Sequence, residues 1–421
     1  MSKEARPLLV GIAFLAFVSL GLPDGILGVA WPSIRHTFSL SLSRLGDVLA
    51  TSMVGYLLSS ALSGTIVRRA GVGFLLLGSS VLVTLSLALF ASAPAWWVMA
   101  ATGLLAGLGA GAIDAGINAY AADQFPPRLV TWLHACYGIG ATLGPMAMTA
   151  VLSAGLVWRW GYAAIGAVLG LMAILFLVTR RLWTVDSSNA AGRAAEPDPK
   201  IEEPDQKAQE ARKNQNTATA GQTLRLPLAW AHIAIFFMYT GLEVTAGQWL
   251  FSLLTESRGF SPTLAGTSVG LYWGGLTAGR VVFGVAAPRF QPQSILRLAT
   301  ICAPIAALAI TWGPSPAITV AASTFLGFML APIYPLLISA TPDRLGRAYA
   351  AHAIGFQVSA AYLGAAALAS LAGVFAKAYG LEVLGPFLLC VSLVFLALNE
   401  VAARMPRPSP PGGLPREFDR A

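Results

Sequence analysis

Long apolar runs with few or no charges recur twelve times along the chain, at 8–34, 44–67, 72–93, 95–122, 130–154, 159–182, 227–255, 262–287, 293–312, 315–340, 348–376 and 381–403. Runs of roughly 18 apolar residues or more read as membrane spans. Lipid offers the backbone no hydrogen-bond partners, so each run is predicted to be a helix that satisfies its own N–H and C=O groups. Several runs exceed the roughly 20 residues that a bilayer requires, which predicts tilt, kinks or overhanging ends. The first run is also too long for the apolar region of a cleavable signal peptide.

The pattern stops twice. Between 183 and 226 the chain turns polar, and Glu196–Lys213 mixes acidic residues with Lys, Gln, Pro and Ala. This composition predicts a disordered connector with at most a short helix. After Arg404 the residues are rich in Pro and Gly, which predicts a flexible tail. The expected organisation is a six-helix bundle at 1–182, a linker at 183–226, a second six-helix bundle at 227–404 and a tail at 405–421. The two bundles superpose in sequence at a constant shift of 220 residues. Gly21 then falls on Gly241, Gly46 on Gly266, Gly55 on Gly275, Gly64 on Gly284, Gly107 on Gly327 and Gly144 on Gly364. Glycine is abundant, but a single shift serves four different helices of each half. Two such repeats around a central site form one of the architectures of secondary transporters.

Composition removes the alternative of several soluble domains: 56% of the 421 residues are hydrophobic and only 11% are charged. The net charge of +8 does not point to nucleic acid, because the basic residues sit mainly in the short connections. With the N-terminus inside, 22 of the 27 Lys and Arg residues fall on the inner side, which predicts that both termini and the linker are cytoplasmic. The expected location is a plasma membrane of the bacterial inner-membrane kind. Cys136, Cys302 and Cys390 lie in apolar runs and read as small buried residues. No Walker loop, metal-ligand spacing or HExxH motif occurs, so no enzyme chemistry and no cofactor are expected.

Ionisable groups deep within spans are costly and mark pathways. Asp24, Asp114 and Glu243 are the three candidates, and Asp24 and Glu243 lie at nearly equal depth in the first and seventh spans. Each could be a structural carboxylate capping a broken helix or pairing with a buried hydroxyl. The functional reading is proton coupling, since desolvation favours the neutral acid and lets it load and release H⁺ in a physiological gradient. The same groups would also serve Na⁺. Asn118 lies one helical turn after Asp114. With His134, Tyr137, Gln248, Trp249, Tyr272, Trp273, His352 and Gln357 it forms a set of neutral hydrogen-bonding and aromatic groups suited to a small polar solute. Helix packing is the plainer reading of each taken singly. Gly64, Arg68, Arg69, Arg280 and Arg289 flank the loops after the second and eighth spans and read as gating elements. Arg280 is expected to snorkel to the surface or clamp its loop. The chain is expected to act as a monomer.

Taken together, the twelve spans, the six-plus-six repeat and the linker resemble the major facilitator superfamily over 7–182 and 227–404. The stretch Gly64-Thr65-Ile66-Val67-Arg68-Arg69-Ala70-Gly71 is similar to the loop signature of that superfamily but lacks its Asp, and Gly284 to Arg289 is a worn second copy. Asp24-Gly25-Ile26-Leu27 and Asp114-Ala115-Gly116-Ile117-Asn118 resemble motifs of the fucose–proton symporter group and its sugar-transporter-like relatives. That resemblance implies proton coupling and substrate binding by the two acids and sugar contact by the Asn. His134 and Tyr137 align there with polar positions of different residue type, and Glu243 has no counterpart. Gly140-Ala141-Thr142-Leu143-Gly144-Pro145 resembles instead the core of the fifth-helix motif of drug–proton antiporters, without the Gly-Gly that should follow. The expected function is secondary active transport, by proton symport of a polar solute such as a sugar or, alternatively, by proton-driven export of amphipathic compounds.

Overall fold

The computed structural model describes residues 5–125, 127–183, 218–286, 289–313 and 315–408. The reading of 184–217 as a disordered linker, the tail beyond 408 and the side chain of His134 lie outside the described residues.

The first span is two helices, α1 (Ala5–Gly21) and α2 (Ile26–Phe38). Next come α3 (Leu45–Ala70), α4 (Val72–Ser92), α5 (Trp96–Gln124), α6 (Pro127–Ser153) and α7 (Trp158–Thr179). A short α8 (Ala220–Leu224) enters the second half, held by a capping box in which Thr219 and Gln222 satisfy each other's backbone. The second half holds α9 (Pro227–Ser252), α10 (Pro262–Ala286), α11 (Pro292–Trp312), α12 (Pro316–Leu330), α13 (Ile333–Leu345), α14 (Arg347–Tyr379) and α15 (Leu384–Arg404). Among the described residues, eleven spans are long and apolar enough to cross a membrane. The twelfth, α10, matches them in length but is diluted by six glycines and Arg280.

Two predicted spans are not continuous. Pro23 has no N–H to offer, and Gly25 takes a left-handed conformation (φ 73°), so the first span breaks at Leu22–Gly25. The tenth span breaks at Ala331–Pro332, between α12 and α13. Their repeat mates, α9 and α5, run unbroken through the corresponding region.

The packing repeats as the 220-residue shift predicts. Within the first half α1 pairs with α6, α3 with α5 and α4 with α7; within the second, α9 pairs with α14, α10 with α12 and α11 with α15. Glycines admit these close approaches. A Cβ at Gly107 would strike the α3 backbone at Ser52, and one at Gly327 the α10 backbone at Tyr272. Gly144 stands against the backbone at Leu22 just as Gly364 stands against that at Phe237. Even the contacts between halves repeat: Gly46 of α3 meets Ser370 of α14, and Gly266 of α10 meets Thr149 of α6. The halves thus meet along three seams, α6 on α10, α3 on α14, and α2 on α9. After twelve crossings the start of α1 and the end of α15 lie on one face, called here the termini face; the other is the far face.

Candidate functional site

Each of the three candidate carboxylates, Asp24, Asp114 and Glu243, accepts a hydrogen bond from a tyrosine. Asp24 occupies the break between α1 and α2, where its amide donates to the Gly21 carbonyl at 3.0 Å. Its carboxylate accepts from the Tyr137 hydroxyl of α6. The guanidinium of Arg280, on α10, covers the Tyr137 ring at 5.7 Å from its centroid. This cation–π contact joins the two bundles.

Asp114, on α5, accepts from the Tyr56 hydroxyl of α3 and from the amide of Asn118 one turn later, at 2.8 Å. Tyr362 of α14 donates in turn to the Tyr56 hydroxyl, with ring centroids 3.7 Å apart. Glu243, on α9, accepts from the Tyr239 hydroxyl one turn earlier, and its backbone carbonyl accepts from Tyr272 at 2.8 Å. Asp24 is within electrostatic range of Asp114, Glu243 and Arg280, so the three acids share one central region. Arg280 also reaches Glu243, whereas Asp114 is held by the neutral donors Tyr56 and Asn118.

Two neutral groups stand beside this region without a partner among the described residues. They are the indole N–H of Trp273 and the side-chain carbonyl of Gln248. The indole nitrogen is so near the span break that a Cβ at Gly25 would lie 2.7 Å from it. Buried polar atoms rarely stay unpaired, because desolvation costs roughly 1–3 kcal/mol each.

Other expected site residues are elsewhere. Arg280 neither snorkels nor clamps a loop: six residues before the end of α10, it turns inward to the Tyr137 ring and the acids. Trp249 donates to the Ala369 carbonyl at 2.8 Å, inside the second bundle. Tyr272 is fully buried and pins α9 to α10. Gln357 accepts from Thr341 at 3.0 Å and faces the His232 ring, again inside that bundle. His352 is exposed near the start of α14. Gly64, Arg68, Arg69 and Arg289 are exposed on the termini face, and Arg68 reaches only its neighbour Thr65 (3.2 Å) among the described residues.

The seams close toward the far face. Arg35 at the end of α2 pairs with Glu256 at 2.6 Å, across the bundles. Glu256 sits in a wide turn, Leu253–Ser257, that extends α9, and Arg258 anchors that turn to Glu382 at 2.8 Å. Ser153 and Thr263 meet at 3.0 Å between α6 and α10. Tyr56, Tyr239, Tyr362 and the Arg35–Glu256 pair were not among the residues expected from sequence. Only Tyr239 had a signal there, its four-residue spacing to Glu243.

Two six-helix bundles closed around buried carboxylates form an architecture found among secondary transporters. The model of the Major Facilitator Superfamily matches residues 13–369. The chain belongs to that superfamily and is a multi-pass membrane protein. It is similar to "Bypass of stop codon protein 6" of Saccharomyces cerevisiae, 23% identical over 66% of this chain and 56% of that one. It therefore spans little more than half the length of that relative. It is also similar to the "Glucose/mannose transporter GlcP" of Bacillus subtilis, 18% identical over 79% of this chain and 78% of the relative. Among solved structures, the fold resembles a D-xylose–proton symporter with TM-score 0.70 at 15% identity, covering 92% of this chain and 96% of that one.

Proposed function

We propose that the chain is a proton-coupled symporter of a small polar solute such as a sugar, working by alternating access as a monomer. The observation that carries this reading is the central group of three tyrosine-bound carboxylates between the bundles. The unpartnered Trp273 and Gln248 atoms beside it supply a donor and an acceptor for a polar solute. The printed substrates of the glucose/mannose and xylose relatives agree with this chemistry.

Asp114 is the proton site in this reading. A charged carboxylate without a cationic partner is costly away from water, so it cycles most readily with a proton. Asp24 and Glu243 have Arg280 in range and serve solute binding and its orientation. The excess of Lys and Arg on the termini face supports termini in the cytoplasm of a bacterial inner membrane, with the far-face seams closed to the outside. Na⁺ would be the alternative coupling ion.

The test is uptake into proteoliposomes under an inward proton gradient, screened first with hexoses and pentoses. Asp114→Asn is expected to abolish gradient-driven accumulation while retaining solute counterflow. Full accumulation in that variant would overturn the assignment of Asp114. Export of an amphipathic compound is the second reading. It is supported by likeness to the "Tetracycline resistance protein, class C" of Escherichia coli, 30% identical over 35% of this chain and 37% of that one. A deletion strain with raised drug sensitivity would favour it.

A further inference from the structure

Away from the central region, the second bundle contains a polar pocket on the termini face. It is a cavity of about 50 Å³ among the ends of α9, α11, α13 and α15. His232, Gln293, Arg344 and Asn399 supply its polar lining, and Ala340 forms part of its wall. All of these residues lie in the first or last two turns of their helices. The pocket is therefore at the level where a bilayer places its headgroups.

Its electrostatics are lopsided. Arg344 donates to the Ala402 carbonyl and lies within electrostatic range of Arg407. Among the described residues neither arginine pairs with a carboxylate. Glu400 of α15 is already engaged by Arg297 at 2.9 Å and by Arg404 at 3.8 Å, and Asp343, next to Arg344 in sequence, is exposed and forms no ion pair among the described residues. The N-terminus of α11 adds the Gln293 N–H and the positive end of its dipole; Pro292 has no N–H, and those of Ser294 and Ile295 donate to the Gln291 carbonyl. Outside the pocket, Leu298, Ile301 and Ile305 of α11 and Val394 and Val401 of α15 are exposed apolar residues along the two helices that form its walls.

We infer that this pocket binds the phosphate headgroup of an anionic phospholipid, whose acyl chains lie along the exposed apolar sides of α11 and α15. Basic pockets between spans at the membrane surface hold such headgroups. A soluble phosphate would use the same arginines but not the apolar flank, and that flank decides for the lipid. The site is separate from the central carboxylates, so the inference does not depend on what is transported.

The test is native mass spectrometry of the delipidated full-length protein after re-addition of phosphatidylglycerol or phosphatidylethanolamine. Preferential retention of phosphatidylglycerol is expected. Arg344→Gln with Arg407→Gln should weaken it by roughly thirtyfold, from about fivefold for each basic group at the surface. Because Arg344 also supports α15, a second variant is needed: Ala340→Met fills the cavity but keeps both charges, and should weaken retention as well. Equal retention of the two lipids, or retention of phosphatidylglycerol unchanged in both variants, would overturn the site. Thermal stabilisation by inorganic phosphate with no retained phosphatidylglycerol would overturn the lipid assignment.

Discussion

Glu256→Gln removes the charge that holds Arg35 across the far-face seam, and its effect can be worked from the structure. The two side chains are 30% and 25% exposed and 2.6 Å apart. Exposed ion pairs contribute about 0.2–1 kcal/mol, and breaking fully buried ones costs about 3–5 kcal/mol. A half-buried pair falls between, at about 1–2 kcal/mol. The Arg35 Nε is already buried without a partner among the described residues. All of that bias acts on opening of the far face, because Arg35 belongs to one bundle and Glu256 to the other. The open fraction should then rise by about 5–30-fold. The assay is alkylation of Gln248→Cys by a membrane-impermeant maleimide from the far side, with Cys136, Cys302 and Cys390 replaced. Gln248 is buried in the seam, so its labelling rate reports the open fraction. Glu400→Gln is the control, as it breaks the Arg297 pair inside one bundle and away from that seam. An unchanged rate in Glu256→Gln, or an equal rise in Glu400→Gln, would refute the reasoning.

Three further outcomes are expected. Gly25→Ala should lower the melting temperature, since a left-handed alanine costs about 1–2 kcal/mol before any crowding against Trp273 and Pro145. Tyr56→Phe should reduce gradient-driven uptake while Tyr362→Phe reduces it less, because only Tyr56 touches the Asp114 carboxylate; equal losses would argue against a direct role for Tyr56. Gln357→Leu should destabilise the protein by about 1–3 kcal/mol in thermal unfolding by removing the side-chain partner of the buried His232 ring, yet leave the solute KM unchanged.

The spans and the repeat were legible because lipid imposes length and apolarity on each helix, and a duplicated fold repeats its close contacts. Gly107 and Gly327, or Gly144 and Gly364, do equivalent work and so stand at the same shift. The Asp114–Asn118 bond was legible from its one-turn spacing. The Tyr239–Glu243 bond has the same spacing and could have been found the same way. Facing was not legible. A helix that is apolar all round does not say which polar residue looks into the bundle and which toward the seam. Trp249, Tyr272 and Gln357 accordingly fell inside the second bundle, while Arg280 turned out to face the acids. The pairing of Tyr56 with Asp114 and of Tyr56 with Tyr362 joins residues far apart in sequence, which no local spacing encodes.

The two breaks fall at non-equivalent places in the repeat, at Leu22–Gly25 in the first span and Ala331–Pro332 in the tenth. Each bundle therefore owns one jointed helix and keeps the counterpart of the other's joint as a stiff rod. The halves share an outline but are not interchangeable parts. A chain assembled from two copies of the first half would carry two joints of one kind and none of the other. Whatever ancestry the halves share, each has become specialised to bend where its partner does not.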